Sequence, residues 1–202
     1  RRRPGHNLSQ PGSWASLPQY IVSLLKAWYG AAATPENEFG YGWIPKLDDD
    51  ESEMSYMIRM HRGDIKGFML FGQNPAVSSP NARLQRDAMR KLKWLVALDL
   101  FETESAAVWY ADPEGPDPKS VATEVFLLPA AASTEKDGSV TNTERLVQWH
   151  TRVVDSPGDC HSDLWWVYQL GKRLKSLYAA STLERDAPIR NLTLWDGLTG
   201  VV

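Results

Sequence analysis

The sequence predicts an α/β protein, a mainly parallel sheet layered between helices in a three-layer αβα arrangement. Two short, continuously apolar runs, Gly67–Phe71 and Trp94–Leu98, read as strands buried on both faces. An amphipathic stretch of crossover length separates them, which is the pattern of a βαβ unit with parallel strands and right-handed topology. A third run, Val121–Leu128, has Val125-Phe126-Leu127-Leu128 as its apolar part and ends at Pro129. The chain is 202 residues long, 43% hydrophobic and 23% charged, enough for one large core or two small ones.

Residues 1–15 combine Arg1–Arg3 with Pro4, Gly5, Pro11 and Gly12 and carry no periodicity, so they read as a flexible tail. Leu17–Tyr29 reads as a helix. Ser16 is its candidate cap, Pro18 fits the first turn, and Gly30 suits its stop. Ile21, Leu24, Leu25 and Trp28 form its apolar stripe. A loop follows through Gly40, Gly42 and Pro45. The acidic run Asp48–Glu51 has the wrong ligand spacing for a calcium loop and suits the positive end of the next helix. That helix is expected to bury Met54, Met57 and Ile58.

After Phe71 the chain turns at Gly72-Gln73-Asn74-Pro75. Ser79-Pro80 then opens a helix with Leu84, Ala88 and Leu92 on one side and Arg83, Arg86, Asp87, Arg90 and Lys91 on the other. The proline-rich stretch 111–120 is a loop. Residues 130–160 are a loop and mixed stretch, within which Glu135–His150 shows neither helical nor strand period. Such a polar segment needs a partner or ligand to satisfy it. A last helix spans about Asp163–Ala179 behind Ser162, with Val167, Leu170, Leu174, Leu177 and Tyr178 as its buried stripe. The domain reading is a tail at 1–15, an α/β domain at 16–180 and an extended linker at 181–202.

Composition removes several function classes. With 22 basic and 25 acidic residues the net charge is −3, and no basic field grips a phosphate backbone. No apolar run approaches the roughly 20 residues of a membrane span. Cys160, the single cysteine, excludes an internal disulfide framework and any all-cysteine zinc or iron–sulfur site in these residues. The start, with no initiator Met and no apolar segment behind it, reads as a fragment or processed piece without a signal peptide.

A parallel sheet binds ligands beyond the carboxyl ends of its strands, and three such ends are legible. The first is Gly72-Gln73-Asn74-Pro75, a glycine turn leading to a helix start where free N–H groups favour an anion. The second, Asp99 onward, puts a carboxylate where ribose hydroxyls could be met. The third begins at Pro129, and Glu124 could accept from the donors of a guanine edge. Together they describe a nucleotide-type crevice; the alternative on spacing alone is a tight turn with Asp99 as a cap. No phosphate loop of the G-x-x-x-x-G-K-[ST] type and no H-E-x-x-H helix exists, and Gly40-x-Gly42 lacks a third glycine and a preceding strand. Cys160 between His150 and His161 reads as an ordinary thiol, since neighbours in sequence rarely present side chains to one another. The nine tryptophans, Trp165-Trp166 among them, read as core and interface packing.

Several segments together carry a resemblance: Gly72-Gln73-Asn74-Pro75-Ala76-Val77, Leu84-Gln85-Arg86, Asp99-Leu100, Glu104-Ser105-Ala106, Thr123–Ala131, Glu135–His150, Pro157-Gly158-Asp159-Cys160 and Ser162-Asp163-Leu164-Trp165. In this order they resemble the catalytic alpha subunit of molybdenum- or tungsten-dependent formate dehydrogenases, in the dimethyl-sulfoxide-reductase superfamily. The likeness spans about Tyr20 to Leu174. It implies a Rossmann-like domain holding one of two molybdopterin guanine dinucleotides, with Gly72, Gln73, Asn74, Pro75 and Ser78 at the first strand tip. By the same resemblance Asp99 meets the ribose or guanine and Glu124 the guanine edge, although many superfamily members carry Asp there. The family's metal-ligating cysteine or selenocysteine, its nearby His and Arg, and its iron–sulfur motif have no counterpart in these residues. No catalytic or metal-ligating residue is therefore assigned here, and the piece alone is expected to be inactive. The implied partners are the remaining domains of the subunit, an iron–sulfur electron-transfer subunit and, for the whole enzyme, formate, with no nucleic acid and no direct membrane insertion. Compartment stays open between periplasm and cytoplasm. Two other readings compete: the same domain in another molybdopterin enzyme such as a nitrate reductase, and a stand-alone pterin-nucleotide-binding module without chemistry.

Overall fold

The computed structural model describes residues 16–47, 49–144 and 146–193. The tail reading of 1–15, Asp48, Arg145 and the end of the linker reading from 194 lie outside the described residues. The chain divides into two compact units, residues 50–163 and, formed from both chain ends, 1–49 with 164–202.

In the second of these units, α1 (Leu17–Tyr29) has Pro18 in its first turn and ends at Gly30, where φ is 51°. Ser16 sits at the N-cap without a side-chain cap bond. Leu25 and Tyr29 from α1 pack with Ala33 and Tyr41 as a small aromatic core. The chain then makes a knuckle in which Glu38, Phe39 and Gly40 all have positive φ. Asn37 holds it: its Oδ1 accepts from Thr34 N at 3.1 Å and Gly40 N at 3.0 Å, while Nδ2 donates to the Ala32 carbonyl at 2.8 Å. A side chain on Gly40 would strike the Trp43 ring at 2.7 Å, so this position needs glycine for space as well as backbone.

The sheet belongs to residues 50–163. Strands β1 (Gly67–Phe71), β2 (Trp94–Asp99) and β3 (Glu124–Pro129) are all parallel, in the order β1-β2-β3. The α/β class and the parallel sheet therefore stand. Helix α2 (Glu53–Arg62) precedes β1, and α3 (Pro75–Ser78) and α4 (Ala82–Met89) connect β1 to β2. Met57, Met60, Leu70, Ala88, Met89, Leu92, Leu95 and Val108 form the core. Burial of such side chains contributes about 1.5–3 kcal/mol each for the larger ones.

Several expectations need correction. On α2 the buried methionines are Met57 and Met60, whereas Met54 and Ile58 are exposed. Ser52 caps the helix, its hydroxyl accepting from Ser55 N at 3.4 Å. Ser79 does not cap α4; Asn81 does, with φ 54° and its Oδ1 accepting from Leu84 N at 3.3 Å. The Ser79 hydroxyl instead donates to the Glu53 carboxylate. The third strand starts at Glu124 rather than Val121, because Thr123 is tied to the exit of α4. Its buried hydroxyl is within 2.8 Å of the Leu92 carbonyl and 3.3 Å of the Met89 carbonyl. Thr123→Val should therefore lower stability by about 1–2 kcal/mol in urea unfolding, and Thr123→Ser should recover most of it.

The polar segment after β3 is not without strands. β4 (Gly138–Thr141) and β5 (Val147–His150) pair antiparallel, and Asn142 builds the connection by accepting from Glu144 N and Leu146 N at 3.1 Å. An Asx turn of this kind overrides weak local periodicity. Helix α5 (Asp163–Tyr178) forms as expected, but its buried residue is Tyr168; Val167, Leu170, Leu174 and Leu177 are exposed. Periodicity identifies an apolar face without identifying what covers it. A short helical turn at Glu184–Asp186 and α6 (Ala187–Arg190) follow.

Candidate functional site at the carboxyl edge of the sheet

Because the three strands are parallel, their carboxyl ends share one edge. Phe71 is level with Leu98, and Asp99 is level with Pro129. Just past β1, Gly72 has φ 59°, donates its N–H to the Leu98 carbonyl at 2.9 Å, and has open space where a side chain would stand. Ala130 N donates to the Asp99 carbonyl at 3.1 Å, closing the same edge on the β3 side. A cleft of about 290 Å³ lies here, walled by Phe71, Gly72, Leu98, Asp99, Leu100, Ala130–Ser133, Lys136 and Asp163.

Two groups give this cleft its chemistry. Asp99 holds its carboxylate at the rim, where Oδ1 accepts from Leu100 N at 2.7 Å and its other oxygen is available to a hydroxyl or amine donor. Lys136 supplies the positive charge, with Nζ 2.7 Å from the Asp163 carboxylate. The wall between them is small and apolar, three alanines in succession, so a planar ring or sugar can approach the backbone closely. The volume is near the lower limit of about 300–1,000 Å³ usual for ligand pockets, which suits a nucleotide fragment rather than a whole dinucleotide.

The predicted site residues separate into three groups. Gly72 and Asp99 line the cleft. Gln73, Asn74, Pro75 and Ser78 belong to the turn beside it. Gln73 is exposed; Pro75 is buried; the Ser78 hydroxyl donates to the Asn74 carbonyl at 2.9 Å. The Asn74 side chain is engaged at both ends of its amide. Nδ2 donates to Glu104 Oε2 at 2.6 Å, and Oδ1 accepts from Ser105 N at 3.0 Å and Ser105 Oγ at 2.7 Å. Ser105 Oγ in turn accepts from Ala76 N at 3.1 Å. The Glu104 carboxyl is held below the usual carboxylate range, first by its own backbone N–H and then by the Asn74 amide.

Glu124 stands elsewhere. It is the first residue of β3 and pairs with Trp94, the first of β2, at the amino edge of the sheet. Five residues separate it from the level of Asp99, roughly 16 Å at about 3.3 Å per residue. It is not brought together with Gly72 and Asp99.

Sequence reasoning passed over Lys136 and Asp163 as site residues, along with the Glu104–Ser105 pair that clamps Asn74. One signal was available: Lys136 is the single lysine or arginine between Pro129 and Glu144, directly downstream of a strand tip. The carboxylates of its two neighbours are bonded to backbone N–H groups. Glu135 Oε2 accepts from Ala132 N at 2.9 Å, and Asp137 Oδ1 accepts from Arg152 N at 2.6 Å. Lys136 itself is extended, so its side chain points opposite to both.

Comparisons with known proteins agree on the family. The family model described as molybdopterin oxidoreductase matches residues 46–173. The chain is similar to formate dehydrogenase 2 subunit alpha (cytochrome c-553) of Nitratidesulfovibrio vulgaris, 43% identical over 181 residues, covering 89% of this chain and 18% of that protein. It is also similar to the nitrate-inducible formate dehydrogenase major subunit of Escherichia coli, 36% identical over 186 residues, with 91% and 18% covered. The assimilatory nitrate reductase catalytic subunit of Bacillus subtilis is 36% identical over 144 residues, covering 71% of this chain and 18% of that protein. The chain thus spans less than a fifth of the length of these relatives. A parallel sheet with a ligand-sized cleft at its carboxyl edge lies within the matched residues, and the chain belongs to the molybdopterin oxidoreductase family.

Proposed function

We propose that this chain is a cofactor-holding domain of a formate dehydrogenase catalytic subunit, and that the cleft at the strand tips seats the nucleotide end of a molybdopterin guanine dinucleotide. The observation that carries the reading is the cleft itself: a carboxylate at Asp99, a cation at Lys136 and small walls at Gly72 and Ala130–Ala132, all on the carboxyl edge of a parallel sheet. A phosphorylated nucleoside fits that donor set. Asp99 accepts from ribose hydroxyls, Gly72 lets the nucleotide approach the backbone, and Asn74, Pro75 and Ser78 hold the turn that presents Gly72, with Gln73 exposed beside them. The role given by resemblance to Glu124 is not carried into this pocket, since Glu124 lies at the other edge. In this reading the sheet is the centre of a three-layer, Rossmann-like domain.

When bound, the metal–pterin group would supply two-electron redox chemistry, by which formate becomes carbon dioxide with loss of one proton and two electrons, the electrons going on to an iron–sulfur partner. Molybdenum or tungsten, and the cluster, belong to the larger subunit. Formate is preferred over nitrate as substrate because the two formate dehydrogenase subunits named above match about nine-tenths of the chain, at 43% and 36% identity, and the nitrate reductase 71%. The polypeptide carrying this segment, purified without oxygen, should release GMP and oxidised pterin in equal amounts after acid–iodine treatment and should reduce a viologen dye with formate. Release of CMP or of no nucleotide would overturn the guanine assignment. Dye oxidation by nitrate with no formate activity would move the chain to the nitrate reductase reading.

A further inference from the structure

Lys136 and Asp163 form an ion pair on the wall of the cleft. Both side chains reach solvent, at 25% and 49% relative exposure, so water can solvate either partner when they separate. Asp163 is the first residue of α5, where the helix dipole stabilises a carboxylate with or without a partner. The lysine can therefore leave without stranding a buried charge. The backbone on either side of Lys136 stays where it is, because Glu135 and Asp137 are bonded to Ala132 N and Arg152 N. The lysine lines the same cleft as the Asp99 carboxylate.

We propose that Lys136 is the phosphate-binding residue of this cleft and that Asp163 is its resting partner, exchanged for a phosphate oxygen when a nucleoside diphosphate enters. The inference rests on the nucleotide reading of the cleft and adds to it a named cation and a competitor. An ammonium group suits this exchange: it is a compact charge with three rotatable donors and can move from a carboxylate to a phosphate by rotating its stem. The competition gives a sign that a structural ion pair would not. Removing the lysine should weaken phosphate binding, whereas neutralising its partner should strengthen it.

The test is calorimetric titration of the 202-residue chain with GDP at low ionic strength, with guanosine and inorganic pyrophosphate as separate ligands. Lys136→Gln should raise the Kd for GDP about tenfold and flatten its salt dependence, leaving guanosine binding unchanged. Lys136→Arg should keep most of the affinity. Asp163→Asn should lower the Kd for GDP several-fold, again without effect on guanosine. Unchanged GDP affinity in Lys136→Gln, or weaker GDP binding in Asp163→Asn, would overturn the proposal while leaving the nucleotide cleft intact. Pyrophosphate binding as tightly as GDP would show a simple phosphate site and overturn the nucleotide assignment. A wild-type chain that binds neither GDP nor guanosine would overturn the reading of the cleft, and the proposal with it.

Discussion

Asp112→Ala should destabilise the chain by about 3–5 kcal/mol, the range for removing one partner of a buried ion pair. Asp112 is 10% exposed and Arg90 7% exposed, and the two are in direct contact. Arg86 joins them, with Nε 2.9 Å from Asp112 Oδ2. Arg90 Nε also donates to the Val108 carbonyl at 2.9 Å, and Arg86 Nη1 donates to the Ala76 carbonyl at 3.1 Å. Asp112 thus bridges two guanidinium groups that fasten α4 to the segments after β1 and β2, and Arg90 Nη1 also pairs with Asp87 Oδ1 at 3.0 Å. Loss of Asp112 takes the carboxylate from Arg86 and leaves the buried Arg90 with the half-exposed Asp87. Asp112→Asn keeps the shape without the charge and should fall between the two.

The pH dependence has a definite sign. The Arg90 hydrogen bond holds the Asp112 carboxyl below its ordinary range, with Glu114 N–H and Arg86 acting in the same direction. The folded pKa lies below the unfolded one. The stabilisation is therefore present above the unfolded value of about 3.9 and is lost as pH falls through the folded value. The gap between wild type and Asp112→Ala in urea unfolding should be full at pH 7 and should shrink at pH 3. A constant gap would mean that packing, rather than charge, holds this corner together.

The parts of this structure that were legible in the sequence are those fixed by local chemistry. Gly67–Phe71 and the strand beginning at Trp94 have no polar face, and α1 has a proline at its start and a glycine at its stop, so both strand and helix limits follow from a few residues. What was not legible depends on partners distant in sequence. Ser79-Pro80 has the form of a helix start, yet the Ser79 hydroxyl is taken by Glu53, twenty-six positions earlier, and the cap passes to Asn81. The hairpin of β4 and β5 rests on one Asn142 side chain rather than on periodicity. Glu124 illustrates the same limit for function. The resemblance suggested a guanine contact for Glu124, but Glu124 begins β3 and stands at the amino edge, away from Gly72 and Asp99. Lys136 is the converse case, an unremarked cation that lines the cleft beside Asp163.

Asn74→Ala should disturb both stability and the site, because this one amide joins two strand tips. Wild-type Asn74 spans from the turn after β1 to Glu104 and Ser105 in the loop after β2. Truncation leaves the fully buried Ser105 hydroxyl without its acceptor, leaves Ser105 N–H without a partner, and releases the Glu104 carboxylate. Two orphaned groups at about 1–3 kcal/mol each set an expected loss of about 2–6 kcal/mol. Gly72 lies two residues before the amide and Asp99 five residues before Glu104, so the same change frees both polar edges of the cleft to drift. GDP affinity should fall even in conditions where the variant is fully folded. Asn74→Asp distinguishes geometry from charge. It keeps the acceptor for Ser105 but places a second carboxylate against Glu104, which raises the pKa of the pair in the folded state. A raised folded pKa gives stability that is present below the unfolded value and lost as pH rises. Relative to wild type, Asn74→Asp should therefore be least stable at pH 7.5 and should recover toward pH 4.5, while Asn74→Ala should show no such recovery. Thermal unfolding of both variants at the two pH values checks this. If Asn74→Asp fails to recover in acid, the Asn74–Glu104 contact is not what holds the two strand tips together.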